Sequence, residues 1–280
     1  PRSSSAASDV YKRQEYKVML VQNNILPLLD ILFCRLSSSG DIACALHARK
    51  FIAMSVRSLT ASQGAINKLV GDGAIRLVCN IMCAGEDTNS DVYENCAISL
   101  YSVAQTQYYN DVLLEQGLLK AISRLAQHPE CFGIAASILY LLSSDPQHRE
   151  LVVLDSGARN LLFAIADQPT HSKSAIQFCA QTLFCLSRCA AESREVLISA
   201  GIVPLLLRLS GHDDEKVASP CSEALRNLSS EGSSAIEEGT VSRLLAEALS
   251  YPRERKSAAI IDVSPVSYTH LTLPTKNEVL

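Results

Sequence analysis

The groups with the most chemical potential in this chain are its ten cysteines and six histidines. Two spacings among them have the form of a working site. His171 precedes Cys179 by eight residues, and a Cys/His pair can act as nucleophile and base. Cys185 and Cys189, four apart, would share one side of a helix and could begin a metal site. Gly71 and Gly73 in VGDGAI supply a GxG, the opening of a phosphate cradle. None of these is completed. His171 lies in the polar break PTHSKS and Cys179 in an apolar run, so the spacing predicts a loop histidine and a packed cysteine. Cys185 and Cys189 lack a third ligand, and GxG without its later glycine reads as a turn. No GxSxG, HExxH, Walker-type loop, GxGxxG, EF-hand or zinc-type Cys/His spacing occurs. The sequence therefore predicts no catalytic residue, no metal, no cofactor and no enzyme.

The cysteines fall inside apolar helical runs, as in CLSRC at 185 to 189. That placement predicts reduced thiols acting as small buried hydrophobes, and with them a reducing compartment, cytoplasmic or nuclear. An apolar content of 48% carried by Leu, Ala, Ile and Val, with few aromatics and no Trp, suits helices packed on helices. A net charge of -4 gives no basic excess for a nucleic-acid backbone, so no nucleic-acid partner is expected. No apolar run approaches the roughly 20 residues of a transmembrane helix, and the opening PRSSSAASDVYKRQ lacks the apolar core of a signal peptide.

Both ends differ from the interior. Residues 1–14 and 264–280 show neither its composition nor its periodicity, and SAASDVYKRQ and VSYTHLTLPTK resemble translated sequencing-library adapter. Both are expected to be disordered and foreign to the folded unit, with 251–263 a polar extension and the natural protein longer at each end. Without them the interior holds 21 basic and 27 acidic residues, a net charge of about -6.

Stepping the chain against itself exposes a repeat. GIVPLLLRL at 201 to 209 recurs in degenerate form as NILPLLDIL from Asn24, GAIRLVCNI from Gly73, GLLKAISRL from Gly117, GARNLLFAI from Gly157 and GTVSRLLAE from Gly239, at an average spacing of 43 residues. A second signature follows each, a small residue with apolar residues three and six places on: Ala53, Val56, Leu59; Ala97, Leu100, Val103; Ala136, Leu139, Leu142; Ala180, Leu183, Leu186; Ser222, Leu225, Leu228. That spacing forms one helical stripe whose small member admits a neighbouring helix. Ahead of each first signature a short helix ends at Val21, Val70, Leu114, Leu154, Ile198 or Ile236, three residues before the Asn or Gly. Asn24, Gly73, Gly117, Gly157, Gly201 and Gly239 are then expected to cap those helices in the left-handed conformation. Pro220 falls where a third helix should be running, which predicts either a late start with Ser219 as N-cap or a kink. Beyond Pro252 no third helix follows, leaving Leu244, Leu245 and Leu249 without a neighbour.

The succession AGIVPLLLRLS, polar DDEK, then SEALRNLSS resembles the armadillo repeat, and the resemblance covers residues 15–250. It implies an all-α, right-handed solenoid of about six three-helix repeats, the last incomplete, whose third helices line a concave groove for an extended protein segment. The family's nuclear-import receptors repeat a Trp and, four residues later, an Asn along that groove. The matching positions here are Met54 and Ser58, Ile98 and Ser102, Ser137 and Leu141, Gln181 and Cys185, Glu223 and Asn227. Only Asn227 fits. The expected function is a non-catalytic protein-protein scaffold, with Gln181, Glu223 and Asn227 at the centre of its groove. A nuclear import adaptor of the importin-alpha kind, and the targeting arm of an enzyme such as a ubiquitin ligase, are the alternatives.

Overall fold

A computed structural model describes residues 14–38, 41–84, 90–168 and 172–229. The sixth unit, with Ile236, Gly239, Leu244, Leu245 and Leu249, the boundaries drawn at 251–263 and 264–280, and the terminal segment before Gln14 lie outside the described residues. So does His171. All regular structure among the described residues is helical.

The described residues divide into five units of three helices each. The first is α1 (Gln14–Gln22), α2 (Ile25–Ser37) and α3 (Ile42–Thr60). The second is α4 (Ile66–Gly71), α5 (Ala74–Cys83) and α6 (Ser90–Ala104). The third is α7 (Asn110–Glu115), α8 (Leu118–Ser123) and α9 (Phe132–Ser144). The fourth is α10 (Pro146–Leu154), α11 (Ser156–Asp167) and α12 (Lys173–Leu186), and the fifth α13 (Ala191–Ser199), α14 (Ile202–Ser210) and α15 (Glu215–Ser229). Short 3-10 turns precede α4, α7 and α9. Each third helix packs on the next, α3 on α6, α6 on α9, α9 on α12 and α12 on α15, and the second helices pack in parallel with them. Neighbouring units thereby share one continuous apolar core, which no single unit could enclose.

The turn between first and second helices follows from the backbone each residue type tolerates. Gly73, Gly117 and Gly201 have φ of 91°, 90° and 85°, and Asn24 has φ of 58°. Only glycine, and next to it asparagine, occupies that region cheaply. Their N–H groups donate to Val70, Leu114, Ile198 and Val21 carbonyls, so the short helix closes at the residue the spacing indicated. Gly157 breaks the rule and corrects the reading. It lies inside α11, and the turn is made by Asp155, extended at φ -75°, ψ 114°, whose carboxylate accepts from Ala158 N at 2.7 Å. An aspartate N-cap does the work of the left-handed residue. The glycine is needed for another reason, since a Cβ there would sit 2.5 Å from Ser123 Cβ on α8.

Of the two readings open at Pro220, a late start and a kink, the first is overturned. The helix does not start late at Ser219: α15 begins at Glu215 and runs through Pro220. Asp214 caps it, its carboxylate accepting from Lys216 N at 3.0 Å and its carbonyl from Val217 and Ala218 N. The proline deprives the Lys216 carbonyl of its usual helical donor.

The small-apolar-apolar stripe of the third helices is buried in the first four units, and in the fifth Leu225 and Leu228 are buried while Ser222 is half-exposed. All ten cysteines are free thiols. Six of them, Cys79, Cys96, Cys131, Cys179, Cys185 and Cys221, are buried as expected. Cys34 and Cys44 are exposed, against the expectation: Cys34 lies in the last turn of α2, where Gln127, Asp167 and Gly211 hold the same register and are exposed too, and Cys44 lies in the first turn of α3.

Candidate functional site

Side-chain contacts, polar at two junctions and aromatic at a third, tie third helices to the next at about one unit's separation. Lys50 Nζ meets Asp91 Oδ2 at 2.5 Å, and Arg57 Nη1 donates to Asn95 Oδ1 at 2.9 Å, both from α3 to α6. Between α9 and α12 the rings of Tyr140 and Phe178 lie 5.7 Å apart. At the α12 to α15 junction, Gln177 Nε2 donates to Asp214 Oδ2 at 2.8 Å and Lys173 Nζ lies 3.2 Å from the same oxygen. The hydrogen bonds from Gln177 and from Lys216 N, then Lys173, favour the carboxylate and hold Asp214 down to about 2.

On this ladder the ten positions expected to line a groove fall into three kinds. Met54, Ser58 and Glu223 are exposed, and Ile98, Ser102, Leu141, Gln181 and Asn227 are half-buried. Ser137 and Cys185 are buried. The two serines inside the ladder return their hydroxyls to their own helices, Ser102 Oγ to Ile98 O at 2.8 Å and Ser137 Oγ to Gly133 O at 2.7 Å. Gln181 Oε1 is buried with no hydrogen-bond partner among the described residues. Asn227 Nδ2 donates to Ser187 Oγ on the preceding unit at 2.9 Å, and the Asn227 carbonyl accepts from Arg194 Nη1 at 3.0 Å. Asn227 is thus a link between units as well as a surface residue.

The sequence pattern did not bring out what surrounds Asn227. Cys185 and Cys189 sit among Arg149, Arg188 and Arg194. Arg188 also lies over the Phe184 ring, 5.7 Å from its centre. Arg149 is anchored by donating from Nε to Ser143 O at 2.8 Å and from Nη2 to Ser144 O at 3.1 Å. The one available signal was the Leu-Ser that closes several third helices. In the fourth unit that serine, Ser187, is buried, donates to Phe184 O at 2.7 Å and receives Asn227.

The thiols here are poor nucleophiles. Burial pushes Cys189 up to about 11 despite the nearby guanidiniums, and raises Cys185 as well. Burial takes Cys79, Cys131 and Cys221 up to about 12. Cys179, imagined above as a nucleophile, is buried, raised further, and turned toward Leu162 O at 3.6 Å. Cys185 and Cys189 belong to no group of three or more metal-ligating side chains among the described residues. Gly73, the second glycine of the GxG, is a left-handed helix cap. No single helix among the described residues is long and apolar enough to cross a membrane.

A profile of the Armadillo/beta-catenin-like repeat matches residues 191–230, the fifth unit. No curated protein sequence matches the chain. Among solved structures, an engineered protein superposes with a TM-score of 0.56 at 21% identity, over 79% of this chain and 90% of that one. A designed armadillo repeat protein in complex with the peptide (KR)4 superposes with a TM-score of 0.52 at 17% identity, over 81% of this chain and 95% of that one. A structure describing a phosphorylation switch in the interaction between cadherin and beta-catenin matches with a TM-score of 0.55 at 17% identity, over 80% of this chain and 43% of that one.

Proposed function

Taking the chain as an armadillo-repeat solenoid, we propose that it is a non-catalytic protein-binding scaffold that holds extended protein segments along its third-helix face. The observation that carries this is the unbroken ladder α3, α6, α9, α12, α15, each helix packed on the next in the same register. Such a ladder offers a long rigid surface with one set of side chains per unit, which suits an extended ligand better than a small molecule. A designed protein of the same fold is complexed with a peptide, which supports the reading. The face is mixed: Met54 and Ile98 are apolar, Ser58, Gln181 and Asn227 are polar, and Glu223 alone is acidic. It therefore favours a segment of alternating polar and apolar character over a uniformly basic one. Free thiols throughout the chain support placement in a reducing compartment, cytoplasmic or nuclear.

Panning a random peptide library on the chain tests this. Selected peptides should bind at least tenfold more weakly to Gln181→Arg/Glu223→Arg, and equally well to Leu151→Glu on the exposed side of α10. If the selected peptides ignore the α12 and α15 substitutions, the face is misplaced. If (KR)4 outcompetes every selected peptide, the chain recognises basic segments and the import-adaptor alternative takes precedence.

A further inference from the structure

One end of the stack carries a second surface, distinct from the third-helix face. In the second-helix segment of each unit, the residues four and eight places after the Asn or Gly that opens the repeat string are buried wherever a unit stands in front. The first of these are Leu77, Ala121, Leu161 and Leu205, between 0% and 5% exposed. The second are Ile81, Leu125, Ile165 and Leu209, between 0% and 3% exposed. Leu28 and Leu32 hold the same two positions in the first unit and are 60% and 39% exposed. On the first helices Leu69, Leu113, Val153 and Leu197 are no more than 2% exposed, and their counterpart Leu20 is 44% exposed.

Two aromatic residues extend the same face, and their counterparts show what each would touch. Tyr16 is 61% exposed. Tyr109, in its register, is buried and hydrogen-bonds to Asn67 on the first helix of the unit in front. Phe51 is 63% exposed. Phe178, in its register, stacks on Tyr140 from the third helix of the unit in front, and Asn95, again in register, receives Arg57 from there. A unit that truly ended a solenoid would turn a polar outer face to water. The first unit does the reverse, presenting Tyr16, Leu20, Leu28, Leu32 and Phe51.

We propose that this face is a repeat junction, occupied by a further armadillo-type unit ahead of α1 in the natural polypeptide. The surface is continuous in register with the four junctions already inside the stack, so its occupant must present the trailing sides of three helices. A donor or acceptor stands opposite Tyr16, and a long flat or aromatic side chain, as Arg57 and Tyr140 are, opposite Phe51.

Hydrogen exchange tests this on the 280-residue chain and on the natural polypeptide carrying its own genomic sequence ahead of Gln14. In the 280-residue chain, α1 and α2 amides should exchange at least tenfold faster than those of α11. In the longer polypeptide they should slow to the α11 rate. Leu28→Glu/Leu32→Glu should restore fast exchange there while α11 and α12 stay slow. The proposal is overturned if the longer polypeptide has no helical unit ahead of Gln14, or if α1 and α2 stay fast in it. It is equally overturned if the shorter chain already protects them, either by forming a concentration-dependent dimer that the double variant abolishes or by binding phosphatidylcholine vesicles.

Discussion

Leu28 in the first unit and Leu161 in the fourth are the same residue type, in the same register of the second helix of their units. One is 60% exposed and the other fully buried. Neither the side chain nor the local helix makes this difference; the unit in front does. In a solenoid each unit supplies half of its neighbour's core, so stability is a sum of unit and junction terms, and an identical residue has a different worth at each place along the stack.

The comparison breaks most directly at its own pair of leucines. Leu161→Ala should destabilise the stack by about 2 to 5 kcal/mol through the cavity left in a packed core, whereas Leu28→Ala should cost less than about 1 kcal/mol. Urea denaturation of the two variants, followed through α11 and α2 separately by hydrogen exchange, measures both. Equal losses would mean that the first unit is covered after all.

Next in size is the glycine pair. Gly157→Ala drives a Cβ to 2.5 Å from Ser123 Cβ and should cost about 1 to 3 kcal/mol by overpacking. Gly117→Ala meets open space and pays only for a φ of 90°, about 1 kcal/mol. The two mechanisms separate in a double-mutant cycle: Ser123→Gly should recover much of the Gly157→Ala loss and none of the Gly117→Ala loss. Additive losses would show that Gly157 is not held by contact with α8.

Asn227→Ala should be smaller still, about 0.5 to 1.5 kcal/mol of stability from the lost bond to Ser187 Oγ, concentrated at the α12 to α15 junction. Calorimetric binding of a selected peptide, set beside thermal melting of the same variant, divides the effect of Asn227 between junction and ligand. A variant that melts like the parent yet loses the peptide would assign Asn227 wholly to binding.

The smallest effect concerns acid. Asp214 titrates at about 2 in the folded chain against an ordinary 3.8, so the unfolded chain takes up its proton first as pH falls. Its contribution to stability is present above pH 3.8 and is lost as pH drops to about 2. Asp214→Asn keeps an N-cap and removes the charge, and should flatten the acid limb of the stability curve only in that window. An unchanged acid limb would show that Gln177, Lys216 N and Lys173 do not favour the charged form over the neutral one.

Several features of the fold were legible because they are local. A glycine or asparagine three residues past an apolar helix end gave the turns at Asn24, Gly73, Gly117 and Gly201, since the backbone there excludes other residues. The pattern failed at Gly157, where Asp155 offered a different way to start the helix, and of its two readings at Pro220 the late start failed because Asp214 and Glu215 had already committed the chain to α15. Of the candidate face, the placement of Asn227 on a third helix was readable. Its engagement with Ser187, some 40 residues earlier, was not, because that contact depends on how two units stack.

The sequence alone determined the helices, their period, four of the five turns and which stripe of each third helix is apolar, because these rest on interactions within a few residues. The tertiary structure alone decided which apolar residues are inside. Leu28 and Leu32 share type and register with Leu161 and Ile165, yet the first pair is exposed and the second buried, because burial is conferred by a neighbouring unit and no residue carries its own.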